Sequence, residues 1–158
     1  MPLEIERRFL IKNDNWKKFI TNKCFIEQGY LSKSLDDWII RIRFTGKDFK
    51  IAIKKHIKSF TSFEYEYSIP RKDGKKIMST LSNTIKKERY IVEVEKKSWI
   101  IDCFKENNYP LEIAEIELSK EEEDLSLPSF ISKEITGLKH YSNFNLSKKP
   151  FSKWQVIN

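Results

Sequence analysis

Charged side chains two residues apart recur along this chain: Glu4, Glu6 and Arg8; Arg41 and Arg43; Glu64 and Glu66; Lys87 and Arg89; Glu115 and Glu117. In an extended strand successive side chains point to opposite faces, so each set shares one face. The alternate positions are mostly apolar: Ile5 and Phe9, then Ile40, Ile42 and Phe44, then Tyr65, Tyr67 and Ile69, then Tyr90, Val92 and Val94. A single strand of this kind is an ordinary surface strand with its polar face in water. Several of them permit a second arrangement, a barrel whose charged faces point inward and whose apolar faces carry the packing.

Strands are expected at residues 3–10, 26–31, 38–44, 49–55, 63–69, 85–95, 99–104 and 111–118. Hairpin turns are expected at 35–37, 45–48 and 96–97, where Gly, Asp and Lys break the alternation. Helical spacing of Trp16, Phe19 and Ile20, with Asp14 as N-cap, predicts a short helix over 13–22. Ile77, Met78 and Leu81 predict another over 75–83, residues 128–136 a third, and 141–152 reads as an irregular tail. Gly74-Lys75-Lys76 lacks the upstream glycine and strand of a phosphate-binding loop. The fold class is mainly β, of α+β type, with about eight antiparallel strands in a barrel-like arrangement and few helices.

With 158 residues, the chain reads as one domain, 1–158. Thirty Lys and Arg against 23 Asp and Glu give a formal charge of +7, which favours an anionic partner. Cys24 and Cys103 are too few and too far apart for a zinc site or a disulfide framework, and they fit a reducing cytoplasm. Charges at positions 4, 6, 7 and 8 with no apolar stretch behind them argue against a secretory signal, and no segment is apolar enough to span a membrane. Lys54-Lys55-His56-Ile57-Lys58 reads as a solvated strand end and loop, because no series of aromatics for stacking bases accompanies it.

Carboxylates gathered inside a barrel repel one another unless cations join them. Those cations can be Arg and Lys from neighbouring strands, which gives a self-neutralising lattice, or a hard divalent ion, which prefers carboxylate oxygen. Arg41, Arg43, Lys54, Lys87 and Arg89 exceed what local pairing needs, so a polyanion is expected among them. Carboxylates and cations in one cavity are the equipment for phosphoryl transfer. His56 and His140 are the only imidazoles and neither falls in a charged strand face, so a histidine general base is not expected.

These segments resemble the CYTH-domain proteins, the triphosphate tunnel metalloenzymes. Leu3-Glu4-Ile5-Glu6-Arg7-Arg8-Phe9-Leu10 is similar to their opening ExExK signature. The likeness continues through Arg41-Ile42-Arg43, Ile53-Lys54, Glu64-Tyr65-Glu66-Tyr67, Lys87-Glu88-Arg89-Tyr90, Asp102, Ile113-Ala114-Glu115-Ile116-Glu117-Leu118, Lys133-Glu134-Ile135-Thr136-Gly137 and Tyr141-Ser142-Asn143-Phe144-Asn145-Leu146. The resemblance implies a closed eight-stranded antiparallel tunnel with flanking helices that binds a triphosphate with Mg2+ or Mn2+. It implies Glu4, Glu6, Glu115 and Glu117 as catalytic metal carboxylates, with Glu64, Glu66 and Asp102 as further metal candidates. It implies Arg8, Arg41, Arg43, Lys54, Lys87, Arg89 and Lys133 as substrate-binding residues, with Lys133 and Glu134 on a helix at the tunnel mouth.

Two positions depart from the pattern: Arg8 stands where the signature has Lys, and Ser62 where relatives often carry Arg. The implied activity is metal-dependent hydrolysis of a triphosphate, foremost inorganic tripolyphosphate to pyrophosphate and phosphate. An adenylate cyclase, a catalytically silent polyphosphate- or nucleotide-binding module and an RNA-binding protein are the alternatives. A small-molecule triphosphate is the expected partner; neither a membrane nor a specific nucleic acid is, and monomer or homodimer stays open.

Overall fold

A computed structural model of the chain describes residues 3–32 and 37–154. The turn expected at 35–37 falls, at residues 35 and 36, outside the described residues. Among the described residues nine strands form: β1 (Leu3–Ile11), β2 (Ile20–Tyr30), β3 (Ile39–Phe44), β4 (Phe49–Lys58), β5 (Thr61–Ile69), β6 (Ile85–Val94), β7 (Lys97–Phe104), β8 (Glu112–Glu117) and β9 (Ile131–Glu134). Their order is β5-β4-β3-β2-β6-β7-β8-β1-β9, and pairing of β5 with β1 closes the first eight into an antiparallel barrel. β9 is an extra strand laid on β1, with Phe9 opposite Glu134 and Ile11 opposite Ile131.

Two apolar cores flank the charged interior. The larger one lies outside the barrel wall, where Phe9, Val92, Trp99, Ile101, Ala114 and Ile116 turn outward and are covered by Trp16, Leu118, Phe130 and Ile131. Phe9 meets Trp99 edge-on at 5.8 Å. The smaller core fills one end of the barrel: Ile85, Phe104 and Ile113, on the charge-bearing faces of their strands, pack with Leu10 under Leu146. Leu146 belongs to α2 (Asn143–Lys148), whose N-cap Ser142 accepts from the Asn145 N–H. This helix plugs the barrel end, so the interior has an apolar floor.

Several local expectations shift. Residues 15–19 form a 3-10 turn rather than an α-helix; Asp14 makes no side-chain cap, and Ile20 already begins β2. The helix placed at 75–83 is α1 (Arg71–Ser79), entered through Pro70. Gly74 sits inside it against the barrel; a Cβ there would stand 2.2 Å from the Phe49 ring, so only glycine allows this approach. The turn expected at 96–97 forms one residue earlier, with Glu95 and Lys96 both at positive φ. The helix expected over 128–136 is instead β9, and the tail at 141–152 contains α2. β4 runs on to Lys58, so the basic stretch 54–58 is strand rather than loop.

Candidate active site

Register places the inward charges in opposing walls. Glu6 stands directly opposite Glu117, and Arg8 opposite Glu115, across the β1–β8 ladder. Arg41 and Arg43 on β3 lie on the far side of the ring from β8, since four strand places separate the two in the closed order. Between them is a cavity of about 610 Å³, lined by Glu4, Glu6, Arg8, Arg41, Arg43, Lys54, Glu64, Arg89, Glu115 and Glu117. Ten of the sequence-expected site residues are thus brought together.

The remaining four are elsewhere. Lys87 and Asp102 are on the inward faces of β6 and β7 but are buried beneath the cavity lining, 0% and 1% exposed, with Lys87 Nζ 2.8 Å from Asp102 Oδ2. Asp102 also receives both Arg89 donors, Nε at 2.8 Å and Nη2 at 3.0 Å, while Asn143 Oδ1 accepts from Lys87 at 3.0 Å. Every oxygen of Asp102 is therefore committed to a cation. Glu66 is exposed and pairs with Arg41 at 3.0 Å and Lys50 at 3.6 Å. Lys133 is an exposed residue of β9 and is absent from the cavity lining. Its neighbour Glu134 accepts two hydrogen bonds from Arg7 on the outer face.

Pairing inside the cavity is more complete than charge counting suggests. Arg8 meets Glu115 at 3.2 Å, Arg41 meets Glu64 at 3.3 Å, and Lys54 lies 2.6 Å from Glu4 and 3.7 Å from Glu6. Of the inward cations Arg8, Arg41, Arg43, Lys54, Lys87 and Arg89, only Arg43 has no carboxylate partner among the described residues. The expected surplus of inward cations reduces to that one guanidinium, because ring order brings a carboxylate to each of the others.

The electrostatics divide the carboxylates into two groups. Burial, together with Glu115 and Glu4, pushes Glu6 up to about 7. Burial also raises Glu4, and raises Glu117 with help from Glu4 and Glu6. Asp102 and Glu115 go the other way: burial would raise them, but Arg89 and Lys87 hold Asp102 far below its usual range, and Arg8 holds Glu115 down. Burial pulls Lys87 down to about 7 in spite of Asp102, and pulls Arg43 down to about 10 with Arg41 and Arg89 adding repulsion. Burial and neighbouring carboxylates thus disfavour the charged forms of Glu4, Glu6 and Glu117, and Lys54 only partly offsets this. No three acidic, histidine or cysteine side chains converge at metal-ligating distances among the described residues.

The cavity also contains residues that sequence reasoning missed. His56 follows Lys54 on the inward face of β4 and lines the cavity, against the expectation that neither histidine falls in a charged strand face. Tyr30 lines it as well, its hydroxyl accepting from the fully buried Gln28 at 2.8 Å. The alternation Gln28, Tyr30 in β2 was the available signal, and it carried no charge.

No family model matches the chain. An inorganic triphosphatase of Acetivibrio thermocellus is 32% identical over 157 residues, covering 98% of this chain and 99% of that one. The crystal structure of an inorganic triphosphatase superposes with a TM-score of 0.66 at 25% identity, covering 91% of this chain and 97% of that chain. A Hippeastrum protein, described as a proposed adenylyl cyclase that reveals a dominant triphosphatase activity, shares the fold at TM-score 0.57 and 14% identity, over 76% of this chain and 80% of its own. With a relative this similar along almost its whole length, and with the signature carboxylates facing into a closed eight-stranded tunnel, the chain belongs to the CYTH-domain family, the triphosphate tunnel metalloenzymes.

Proposed function

We propose that the protein hydrolyses inorganic tripolyphosphate to pyrophosphate and phosphate, consuming one water, with Mg2+ or Mn2+ bound by the acidic wall. The observation that carries this reading is the tunnel itself: a cavity of about 610 Å³ with Glu4, Glu6 and Glu117 on one side and Arg41, Arg43 and Arg89 on the other. The name of the Acetivibrio relative supports the choice of an inorganic substrate.

The donor set suits a hard divalent cation. Glu4, Glu6 and Glu117 offer only carboxylate oxygen, and burial with repulsion from neighbouring carboxylates raises their affinity for protons, a cost that a divalent cation held among them would relieve. These three residues would hold the ion. Bound there, it would neutralise phosphate oxygens and lower the pKa of a coordinated water. Arg41, Arg43 and Arg89 take the remaining phosphate charge through charge-assisted hydrogen bonds. Glu115 aims the Arg8 fork, and Asp102 does the same for Arg89 from beneath the cavity lining. Lys54, between Glu4 and Glu6, would add its ammonium to the phosphate-binding side if those carboxylates held a divalent ion. The free thiols of Cys24 and Cys103 fit a reducing compartment, and we assign the enzyme to the cytoplasm.

The test is phosphate release from tripolyphosphate, ATP and pyrophosphate, each with Mg2+, Mn2+ or EDTA. Release from tripolyphosphate that needs the divalent ion is expected. Undiminished release in EDTA would remove the metal from the reading, and cyclic AMP as the main product from ATP would replace hydrolysis by cyclisation.

A further inference from the structure

Arg43 and Gln28 are direct partners across the β2–β3 ladder, on the inward faces of both strands. Gln28 is 0% exposed, and its amide is used at both ends: Arg43 Nε donates to Oε1 at 3.0 Å, and Nε2 donates to the Tyr30 hydroxyl at 2.8 Å. The amide orientation is fixed by chemistry. Arg43 can only donate, so the atom facing it must be oxygen, and the nitrogen must face Tyr30. The Tyr30 oxygen then accepts, which leaves its own hydrogen free to point into the cavity that Tyr30 lines. The ring is held in place by Phe144 of α2, edge-on at 5.4 Å.

The other inward cations lean on carboxylates, whereas Arg43 leans on a neutral amide of nearly the same shape. A carboxylate in that place would orient Arg43 equally well and would cancel its charge. We propose that Gln28 is a positioning residue that makes the tunnel selective for a polyanion: it aims Arg43 and the Tyr30 hydroxyl at the cavity and neutralises neither. This rests on the triphosphatase reading above, and it names Arg43 as the anion receptor that the folded chain leaves uncompensated. Gln28 itself touches no substrate, since it lies behind the lining.

The discriminating variant is Gln28→Glu, which matches the amide in shape and still accepts from Arg43 Nε. Among Arg41, Arg43 and Arg89 the new carboxylate stays ionised. A merely structural role predicts that Q28E behaves as the parent and that Gln28→Met, of similar volume but without hydrogen bonds, is the damaged variant. The proposal predicts the reverse order. Q28E should melt at or above the parent without ligand, show a much smaller tripolyphosphate-induced rise in melting temperature, and raise KM by about tenfold to a hundredfold, the value of one charged hydrogen bond. Q28M, with Arg43 still charged but no longer aimed, should raise KM less.

Q28E with an unchanged KM and an unchanged tripolyphosphate shift would overturn the proposal, as would a Q28M worse than Q28E. Should Q28E not fold, Q28M decides: a raised KM at parental kcat and parental ligand-free melting temperature supports the assignment, and a parental KM, or a raised KM that comes with a lowered melting temperature, defeats it. A parent that is stabilised by tripolyphosphate but releases no phosphate would sink the hydrolase reading and leave this one standing. A parent that tripolyphosphate does not stabilise at all would sink this one.

Discussion

Glu6 offers a direct measurement of how far the acidic wall is short of cations. Its side chain is 24% exposed, faces Glu117 across the β1–β8 ladder and is 3.7 Å from Lys54, whose closer partner is Glu4 at 2.6 Å. Burial first, then Glu115, lifts its pKa from 4.5 to about 7. Below pH 4.5 both folded and unfolded states carry the proton, and no stability is lost. Between 4.5 and 7 the folded state holds more proton than the unfolded one, so stability falls as pH rises, and the full loss is present above pH 7. A displacement of that size corresponds to about 3 kcal/mol. Glu6→Gln mimics the protonated form at every pH. In EDTA the variant should therefore match the parent near pH 4.5 and exceed it at pH 8 by up to about 3 kcal/mol, roughly 6 to 12 °C in melting temperature for a chain of this size. Thermal unfolding of both proteins at the two pH values measures this. An E6Q less stable than the parent at pH 8 would show that Lys54 already compensates Glu6 in full, and the cation-deficient wall would be refuted.

Three further outcomes follow from the same geometry. Glu117→Gln should lower turnover with Mg2+ by about a hundredfold or more while leaving the ligand-free melting point at or above the parent's, read by phosphate release and a melting curve. Asp102→Ala strands Lys87 and Arg89 as buried charges with no acceptor and should cost about 3 to 5 kcal/mol in urea unfolding; a loss below 1 kcal/mol would mean water reaches that pair. Lys133→Ala should leave kcat and KM at parental values, because the residue is exposed on β9 and lies off the cavity lining.

The strands were legible because a two-residue period has one structural meaning when it recurs with apolar alternates. All eight barrel strands overlap their expected positions; β2 begins six residues early, at Ile20, and the other ends move by three residues or fewer. The misread segments share a cause. Ile131 and Ile135 have helical spacing, yet they enter different cores, Ile131 the outer one and Ile135 the barrel floor, because a short strand and the step after it carry the chain from one to the other. Trp16 and Ile20 mislead in the same way: Trp16 is buried under the outer wall, while Ile20 already belongs to β2 and is 37% exposed. Four-residue spacing marks a helix only where both residues meet the same neighbour, and a sequence does not state its neighbours.

The site was legible as a set of charges and illegible as a set of pairs. Pairing depends on ring order, which is not chain order: β2 sits beside β6, and β1 joins β5, β8 and β9. That order puts Asp102 against Lys87 and Arg89 and turns Asp102 from an expected metal ligand into the brace behind Arg89. A count of inward cations therefore cannot separate a ligand-binding tunnel from a self-neutralised lattice, because both have the same composition. The difference rests on a cation whose cross-strand partner is neutral, and here that partner is Gln28. An uncharged residue in the alternation, which pattern reading passes over, is thus the one that leaves the tunnel open to an anion.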